Sequence, residues 1–431
     1  MILIRNGTIL TLTERGTIKN GDLAIKGSDI VYVGEKKEWK EEFDTIINAE
    51  GYIVMPGFVN AHTHLSMSLM RGIADDIPLE SWLSDVIFPI EAKLTQEDIY
   101  IGALLAIIES IRTGVTTVGD FYFHMEKVAQ AVKESGIRAN LGFGLASKFD
   151  MDSVKLKLAE HFINRFNDTE DGRILASFAP HAPYTCTVKF LKAISKRAKS
   201  MGVIVHTHLH ETKKEIADFK KQYGVTPIEK LNQVNFFDAK VNAAHCVWMS
   251  ENDMKILKEH NVGITLNPQS NLKLGSGIPD IGKMYNANLS LSIGTDGAAS
   301  NNNLALIEDA RLASFLAKGS TLNPEMISAK ELLKMATVNG ARNLGFKDIG
   351  LLKEGYKADV ILIDTDKPNL TPFTDPYSLV AYSMYPTDVD TVIINGKIVM
   401  QNKEILTVNE KDILKEASTS YARIRQFIRK P

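Results

Sequence analysis

Eight short apolar segments that alternate with amphipathic helical segments constrain the fold of this chain more than any other feature. Strands that alternate with helices are typical of an α/β protein with a parallel sheet, and eight such units close a (β/α)8 TIM barrel. The predicted strands are GFVNAH from Gly57, VTTVGDF from Val115, ANLGFGL from Ala139, ILASFAP from Ile174, VIVHTHL from Val203, VNAAHCV from Val241, VGITLNP from Val262 and LSLSIGT from Leu289.

The two ends of the chain predict a smaller β unit outside this barrel. Tight-turn signals between apolar stretches occur at Asn6-Gly7, Gly27-Ser28 and Asn395-Gly396. Neither end has enough apolar surface to form a stable sheet alone, so we expect both ends to build one β-sandwich beside the barrel. The expected domains are sandwich residues 1–55, barrel residues 56–348, and sandwich residues 349–431 with a terminal amphipathic helix.

Composition excludes several classes of partner. The chain has 50 Lys and Arg against 52 Asp and Glu, so it offers no electrostatic attraction for nucleic acid or an anionic membrane. No apolar run has the length of a membrane span, and the first residues, MILIRNGTILTL, do not resemble a signal peptide. Cys186 and Cys246 are far apart and form no CxxC pair. We therefore expect a cytoplasmic protein with a small-molecule partner, compatible with a homo-oligomer.

Residues with metal-binding or acid–base chemistry collect at the ends of the predicted strands, which is where such barrels carry their active sites. His62 and His64 end the first strand, and the period of two in a strand places both on one face. One of His206, His208 and His210 should reach the same depth from the fifth strand. Neutral imidazoles suit zinc and neighbouring metals.

Asp296 ends the eighth strand and is followed by a turn of small, polar residues. Three histidines and one aspartate would give four N/O ligands with space beside them for water, which predicts a hydrolytic site. Glu211 could accept a proton from that water, and His245 could hydrogen-bond the water or the developing oxyanion. The alternative for Glu211 is a carboxylate that stabilises a helix N-terminus.

A long connection follows His64, and loops of this size in compact domains are usually functional. We interpret it as a lid or substrate-facing wall that contributes Trp82, Phe88 and Glu91. The alternative for the two aromatic residues is packing against the rim of the barrel.

Long motifs make the chain resemble the amidohydrolase superfamily, and within it the 5'-methylthioadenosine/S-adenosylhomocysteine deaminases. The resemblance covers nearly the whole sequence. Its motifs are PGFVNAHTHLSMSLMRGIADD, FPIEAKLT, APHAPYTC, HLHET, AAHCVWM, NPQSNLKLGSGI, GTDGAASNN, MATVNGARNLG and GYKADVILID.

The resemblance implies a role for each matching residue. Ligands of one divalent metal ion, usually zinc and sometimes iron, would be His62, His64, His208 and Asp296. The catalytic residues would be Glu211, which moves a proton to the ring nitrogen, His245, which steadies the attacking oxygen, and Asp296, which also receives a proton. Substrate contacts would come from His181 on the purine side, Glu91 at the ribose hydroxyls, Glu211 and Asp296. The interpretation of the long connection adds Trp82 to these contacts.

Two differences from related enzymes affect the expected number of metal ions and the expected substrate. Relatives with two metals use a carboxylated lysine on the fourth strand, whereas this chain has no lysine there before Lys189, so we predict one metal. Similar enzymes also carry arginines after the third strand that hold the polar tail of the substrate. This chain has none between Arg138 and Arg165; Phe143 stands near the first position, and Lys148 could substitute as a point charge.

The leading hypothesis is therefore hydrolytic deamination of methylthioadenosine, S-adenosylhomocysteine or adenosine, with release of ammonia and the inosine analogue. An alternative is an aminohydrolase or chlorohydrolase of another heterocycle, guanine-like or triazine. A third possibility is an inactive homologue that serves as a scaffold, although every expected ligand is in place.

Overall fold

The computed structural model describes residues 1–146 and 152–427. In the described residues, eight parallel strands form the predicted barrel sheet, in the order of the chain. All eight segments predicted as strands are confirmed. The first five strands of the chain lie outside the barrel and are β1 Ile2–Leu10, β2 Thr17–Lys26, β3 Asp29–Glu35, β4 Thr45–Asn48 and β5 Tyr52–Pro56. The barrel strands are β6 Phe58–Thr63, β7 Val115–Tyr122, β8 Arg138–Leu145, β9 Ile174–Pro180, β10 Val205–Leu209, β11 Val241–His245, β12 Gly263–Leu266 and β13 Ser290–Ile293.

The barrel closes between its last and first strands. The amide of Asp296, just beyond β13, donates to the carbonyl of His62 on β6 at 3.0 Å. The amide of Thr295 donates to the Asn60 side chain at 3.1 Å. This seam brings the first strand and the end of the last strand together, which places an aspartate beside the first histidine pair.

Helices cover the outside of the barrel and alternate with its strands. Capping residues begin three of these helices, because Thr95, Ser250 and Ser328 each accept a hydrogen bond from the third residue of the helix that follows. The helices are α1 Leu79–Ser81, α2 Phe88–Glu91, α3 Gln96–Arg112, α4 Met125–Ser135, α5 Asp152–Phe166, α6 Val188–Met201, α7 Lys213–Tyr223, α8 Pro227–Gln233, α9 Glu251–Glu259, α10 Pro268–Lys273, α11 Ile281–Asn286, α12 Leu306–Thr321, α13 Ala329–Lys334, α14 Gly340–Asn343, α15 Pro376–Ser378 and α16 Glu410–Ile424. A π-helix, Met335–Asn339, joins α13 to α14.

Both chain ends build the sandwich unit from one mixed sheet, which has nine strands in the described residues. The last strands are β14 Val360–Asp364, β15 Val389–Ile394, β16 Lys397–Gln401 and β17 Glu404–Ile405. Here β14 pairs with β5, so a strand from the C-terminal part completes the N-terminal part. The domain limits at 55/56 and 348/349 stay a prediction.

The hairpin predicted at Asn6-Gly7 is wrong. Strand β1 continues through both residues, and its pairing with β2 shifts register on either side of Gly7. Asn6 has a φ of 63°, and a Cβ on Gly7 would lie 2.7 Å from Val54 Cγ2. The Asn-Gly pair therefore forms a bulge inside a strand, and β5 beside it leaves no room for a side chain at Gly7. The pair Asn395-Gly396 does form the predicted hairpin turn between β15 and β16.

A buried ion pair joins the barrel to the terminal sheet. The Arg138 guanidinium, at the start of β8, donates to both carboxylate oxygens of Asp359 at 2.6 and 3.0 Å, and to Asn395 Oδ1 at 2.9 Å. Both charged side chains are about 2% exposed. Because each charge has lost its water, each depends on the other for compensation.

We expect Asp359→Asn to lower the free energy of unfolding by about 3–5 kcal/mol, because it leaves the Arg138 charge buried without its partner. Urea denaturation followed by circular dichroism measures the loss. The control is Asp218→Asn, which removes the exposed pair that Lys214 and Asp218 form on α7 and should change stability far less. Equal losses in the two variants would contradict a structural role for the buried pair.

Among the described residues, no helix has the length and apolar character needed to cross a membrane.

Candidate active site

Four predicted metal ligands meet at the C-terminal end of the barrel. His62 lies on β6 and His64 directly follows it, His208 lies on β10, and Asp296 follows β13. One donor atom from each residue lies within 4.8 Å of all the others, and all four residues are buried. The barrel therefore brings together side chains that are separated by up to 234 positions in the sequence.

The spacing of these donor atoms fits a tetrahedral ion. Asp296 Oδ1 lies 3.5 Å from His62 Nε2 and 3.4 Å from His64 Nε2, and the Nε2 atoms of His64 and His208 are 3.2 Å apart. Ligand atoms about 2.0–2.1 Å from a tetrahedral zinc ion are separated by about 3.3 Å. These three distances are close to that separation, and the other pairs of donor atoms lie within 4.8 Å of each other.

The tautomers of the first two histidines also fit. His64 Nδ1 donates to the carbonyl of Phe121 at 2.7 Å, so its Nε2 presents a lone pair. His62 Nδ1 lies 3.0 Å from His206 Nε2, which also faces the Asn242 amide donor, so His62 donates there. Its own Nε2 is buried and has no hydrogen-bond partner among the described residues. These unpartnered lone pairs point at one place, as a cation site requires.

Burial keeps these imidazoles neutral. Desolvation lowers the pKa of His62 to about 3, and it lowers the pKa of His64 and takes the pKa of His208 well below the ordinary value. Burial opposes ionisation of Asp296, but the imidazoles of His62 and His64 beside it hold the pKa of its carboxyl well below the usual range. Three neutral imidazoles and one carboxylate form a donor set that suits a divalent metal ion.

Two serines orient the aspartate. Ser270 Oγ donates to Asp296 Oδ2 at 2.6 Å, and Ser300 Oγ donates to the same oxygen at 3.0 Å. These bonds leave Oδ1 to face the histidines. A Cβ at Gly297 would lie 2.9 Å from Met67 Sδ and 3.3 Å from His64 Cβ, so a glycine lets the turn lie close to the segment that follows β6.

A carboxylate and an imidazole stand next to the ligand cluster. Glu211 Oε2 lies 4.0 Å from His245 Nε2, and Ser276 Oγ donates to Glu211 Oε1 at 3.1 Å. Burial raises the pKa of Glu211. Burial opposes protonation of His245, but the negative charges of Glu211 and Asp296 raise its pKa overall. The two groups can therefore exchange protons with a molecule between them.

Neighbouring groups hold this pair in place. The Glu215 carboxylate accepts the backbone N–H groups of Glu211 and His210, and Asn271 Oδ1 lies 2.8 Å from His245 Nδ1. The motif NPQSNLKLGSGI supplies Ser270, Asn271 and Ser276, whose roles sequence reasoning missed. The motif was among those that carry the family resemblance, but only the folded chain shows which side chain each of its residues contacts.

A cavity of about 390 Å³ opens above the cluster. His181 lies on its inner wall, with its ring 4.8 Å from that of His208 between centroids. Glu91 also lines it, and the Tyr122 hydroxyl donates to the Glu91 carboxylate at 2.5 Å. Trp82 is a buried wall residue, whereas Phe88 is half exposed at the edge. The connection after His64 thus covers the site, as predicted.

The remaining histidines of the fifth strand are structural. His206 Nε2 contacts the Nδ1 atom of His62. His210 has a φ of 54°, and its side chain points away from the ligand cluster. Its Nδ1 lies 2.9 Å from the carbonyl of Trp248, and its Nε2 accepts from the amide of Ile228. Lys148, the predicted point charge near the substrate, lies outside the described residues.

Fold and site together define a barrel hydrolase with a divalent-metal centre. Residues 53–399 match the Amidohydrolase family. The chain is 44% identical over 419 residues to a 5-methylthioadenosine/S-adenosylhomocysteine deaminase of Carboxydothermus hydrogenoformans, covering 97% of this chain and 96% of that protein. It is 43% identical over 419 residues to a 5'-deoxyadenosine deaminase of Methanosarcina mazei, covering 96% of each.

A solved structure agrees with these relatives. An adenosine deaminase of Xanthomonas campestris with bound zinc has a TM-score of 0.94 and 32% sequence identity, covering 99% of this chain and 98% of that one. The chain therefore belongs to the amidohydrolase family, as its motifs indicated. It is an enzyme, a hydrolase that acts on carbon–nitrogen bonds.

Proposed function

We propose that this enzyme deaminates an adenine nucleoside by hydrolysis, with 5'-methylthioadenosine, S-adenosylhomocysteine, 5'-deoxyadenosine and adenosine as candidate substrates. The observation that carries the proposal is the position of Glu211 and His245 beside a four-ligand cluster at the inner end of the cavity. The names of the relatives at 43–44% identity support the adenine nucleoside.

One divalent metal ion would be held by the four-ligand cluster, with zinc expected first and iron second. The observed donors support a single ion, because the cluster contains four ligands and β9 carries no lysine. A metal ion bound there lowers the pKa of water and so supplies the nucleophile at neutral pH.

Side chains around the cluster would transfer the protons of the reaction. Glu211 accepts a proton from the attacking water and transfers it to the ring nitrogen next to the amino-bearing carbon. His245 hydrogen-bonds the attacking oxygen, and Asp296 accepts the second proton, which leaves with ammonia. The balance is one water consumed, one carbon–nitrogen bond broken, and the inosine analogue and ammonia released. His181 would contact the purine, Trp82 would pack against the nucleoside, and Glu91 would accept hydrogen bonds from the ribose hydroxyls.

Turnover by purified, metal-analysed protein tests the proposal, measured as ammonia release and, for the triazine, also as chloride release. The panel contains the four adenine nucleosides, guanine and a chlorinated triazine. We expect turnover of at least one adenine nucleoside and none of the other heterocycles. Turnover of guanine or dechlorination of the triazine alone would favour the alternative function, and no turnover of any compound would leave the scaffold role. The cytoplasmic location expected from the sequence stays a prediction.

We expect the KM for the nucleoside to fall as pH rises from 6 to 8. Burial raises the pKa of Glu91 to about 7, and only the ionised carboxylate forms charge-assisted hydrogen bonds with both ribose hydroxyls. A group with this pKa changes from about one-tenth to about nine-tenths ionised across that interval, so KM should fall by up to about tenfold. Steady-state kinetics at several pH values measure the change.

Two controls isolate Glu91 from the other titrating groups. Glu91→Gln should remove the pH dependence of KM in this interval and raise KM. 2',3'-Dideoxyadenosine, which lacks both hydroxyls, should show little pH dependence with the original enzyme. The same pH dependence in the variant would assign the titration to another group.

A further inference from the structure

A buried carboxylate on α12 belongs neither to the four ligands nor to the cavity wall. This residue, Asp309, is fully buried, and it is not among the described residues that line the cavity. A carboxylate is rarely buried completely unless hydrogen-bond donors surround it. Its neighbours along α12, Ile307 and Ala310, pack in the apolar core, so the helix holds the carboxylate in a fixed position.

The two oxygens of this carboxylate bind two segments that are separate in the sequence. Asp309 Oδ1 accepts a hydrogen bond from the amide N–H of Gln269, the second residue of α10, at 3.0 Å. Asp309 Oδ2 accepts one from Asn301 Nδ2, in the turn after β13, at 3.0 Å. The same Nδ2 group donates to the carbonyl of Thr295 at 2.8 Å. One carboxylate therefore joins α12 to α10 and to the turn that carries Asp296.

The start of α10 depends on a group outside the helix. Its N-cap residue, Asn267, makes no capping hydrogen bond within the described part of the chain, and its first residue, Pro268, has no N–H group. The first amide N–H groups of a helix have no partner inside the helix. Asp309 supplies an acceptor for one of them and so fixes the first turn of α10 against α12.

The same two segments carry the serines that orient Asp296. Ser270 directly follows the α10 residue that binds Asp309, and Ser300 directly precedes the turn residue that binds it. Both serine hydroxyls donate to Asp296 Oδ2, so Oδ1 faces the histidines. A shift of either segment would move a serine away from Oδ2 and let the carboxylate of this ligand turn.

We propose that Asp309 is a positioning residue for the metal centre. Its carboxylate holds Ser270 and Ser300 in place, and the two serines hold Asp296 with Oδ1 directed at the three histidines. The inference rests on the metal site of the proposed function, and it gives Asp309 no contact with the metal ion or the substrate.

Asp309→Asn tests this role. The amide has the size of the carboxylate and one oxygen that accepts hydrogen bonds, but its NH2 group cannot accept from the second donor. We expect the dissociation constant for zinc, measured by competition with chelators of graded affinity, to rise at least about tenfold, because groups that orient a ligand affect metal affinity by that order. A smaller increase would overturn the proposal.

The same substitution in a Ser270→Ala/Ser300→Ala background separates positioning from a general effect on the fold. If Asp309 acts through the serines, its loss should raise the dissociation constant by less than about threefold there, because the hydrogen bonds that it supports are already absent. An increase as large as in the enzyme that keeps both serines would show that Asp309 acts on the fold alone, and would overturn the proposal.

The matched control is Asp253→Asn. Asp253 on α9 is also buried and also accepts hydrogen bonds from two segments, at Thr226 and Ser250, but neither of these binds Asp296. This variant should lose thermal stability and keep its zinc dissociation constant within about twofold. An equal loss of zinc affinity in Asp253→Asn and Asp309→Asn would overturn the proposal.

Asn301→Ala provides the test if Asp309→Asn does not fold. It removes the hydrogen bond from the turn and leaves α12 unchanged, so we expect the dissociation constant to rise in the same way, and again by less in the background without the two serines. An unchanged dissociation constant would overturn the proposal. These measurements use no nucleoside, so absence of deamination by a zinc-binding enzyme would refute only the proposed function.

Discussion

Glu211→Gln should lower kcat by about 10²–10⁴-fold while the protein keeps its fold and its metal ion. The substitution conserves size and the hydrogen bond from Ser276 but removes the ability to accept a proton. Because burial raises the pKa of Glu211 and His245 lies 4.0 Å away, its carboxyl is placed to take up and return a proton during turnover. Ammonia release at saturating substrate measures kcat, and elemental analysis measures the metal.

The matched control for this prediction is Glu251→Gln, an exposed glutamate in the first turn of α9. It should retain activity within about twofold, since surface substitutions away from special features have small effects. Normal turnover by metal-loaded Glu211→Gln would remove this residue from the chemistry and leave it only the role of a carboxylate near a helix N-terminus.

His208→Asn should abolish both metal binding and activity. It removes one of four donors from a site in which Asp296 and two other imidazoles are held in position by hydrogen bonds. We expect the metal content to fall from about one ion per chain to less than a tenth of that, and kcat/KM to fall by at least about 10³-fold, because the nucleophile depends on the ion. Metal analysis after dialysis and added-zinc rescue assays measure both effects.

His210→Gln is the control from the same strand. His210 is equally buried but bonds to the Trp248 carbonyl and the Ile228 amide, away from the cluster. We expect this variant to keep its metal ion and to lose thermal stability instead. Loss of the metal ion from both variants would mean that the strand as a whole, and not one imidazole, determines binding.

Local patterns were sufficient to predict the barrel. Each barrel strand is a short apolar segment, and helices such as α3, α9 and α13 begin at a capping residue, so the information lies within a few neighbouring positions. Asn6-Gly7 shows where local information fails. The same dipeptide that makes a hairpin at Asn395-Gly396 makes a bulge here, where β1 continues and pairs with β2 on one side and with β5 on the other.

The sequence also predicted only part of the candidate site. The spacing of His62 and His64 predicted a shared face, since a strand alternates with a period of two. The three histidines from His206 to His210 share that period, and spacing alone does not distinguish them. The chain turns at His210 with a positive φ, and His206 packs under His62, so only His208 reaches the other donors.

The sequence alone determined the class of fold, the two chain ends that form one sheet, and the residue types available for a hydrolytic metal site, because these depend on periodicity and on chemistry carried by single residues. The tertiary structure decided which side chains meet and which oxygen of Asp296 faces the histidines. Those properties depend on distances between strands, and distances between residues far apart in the chain exist only after the barrel has closed.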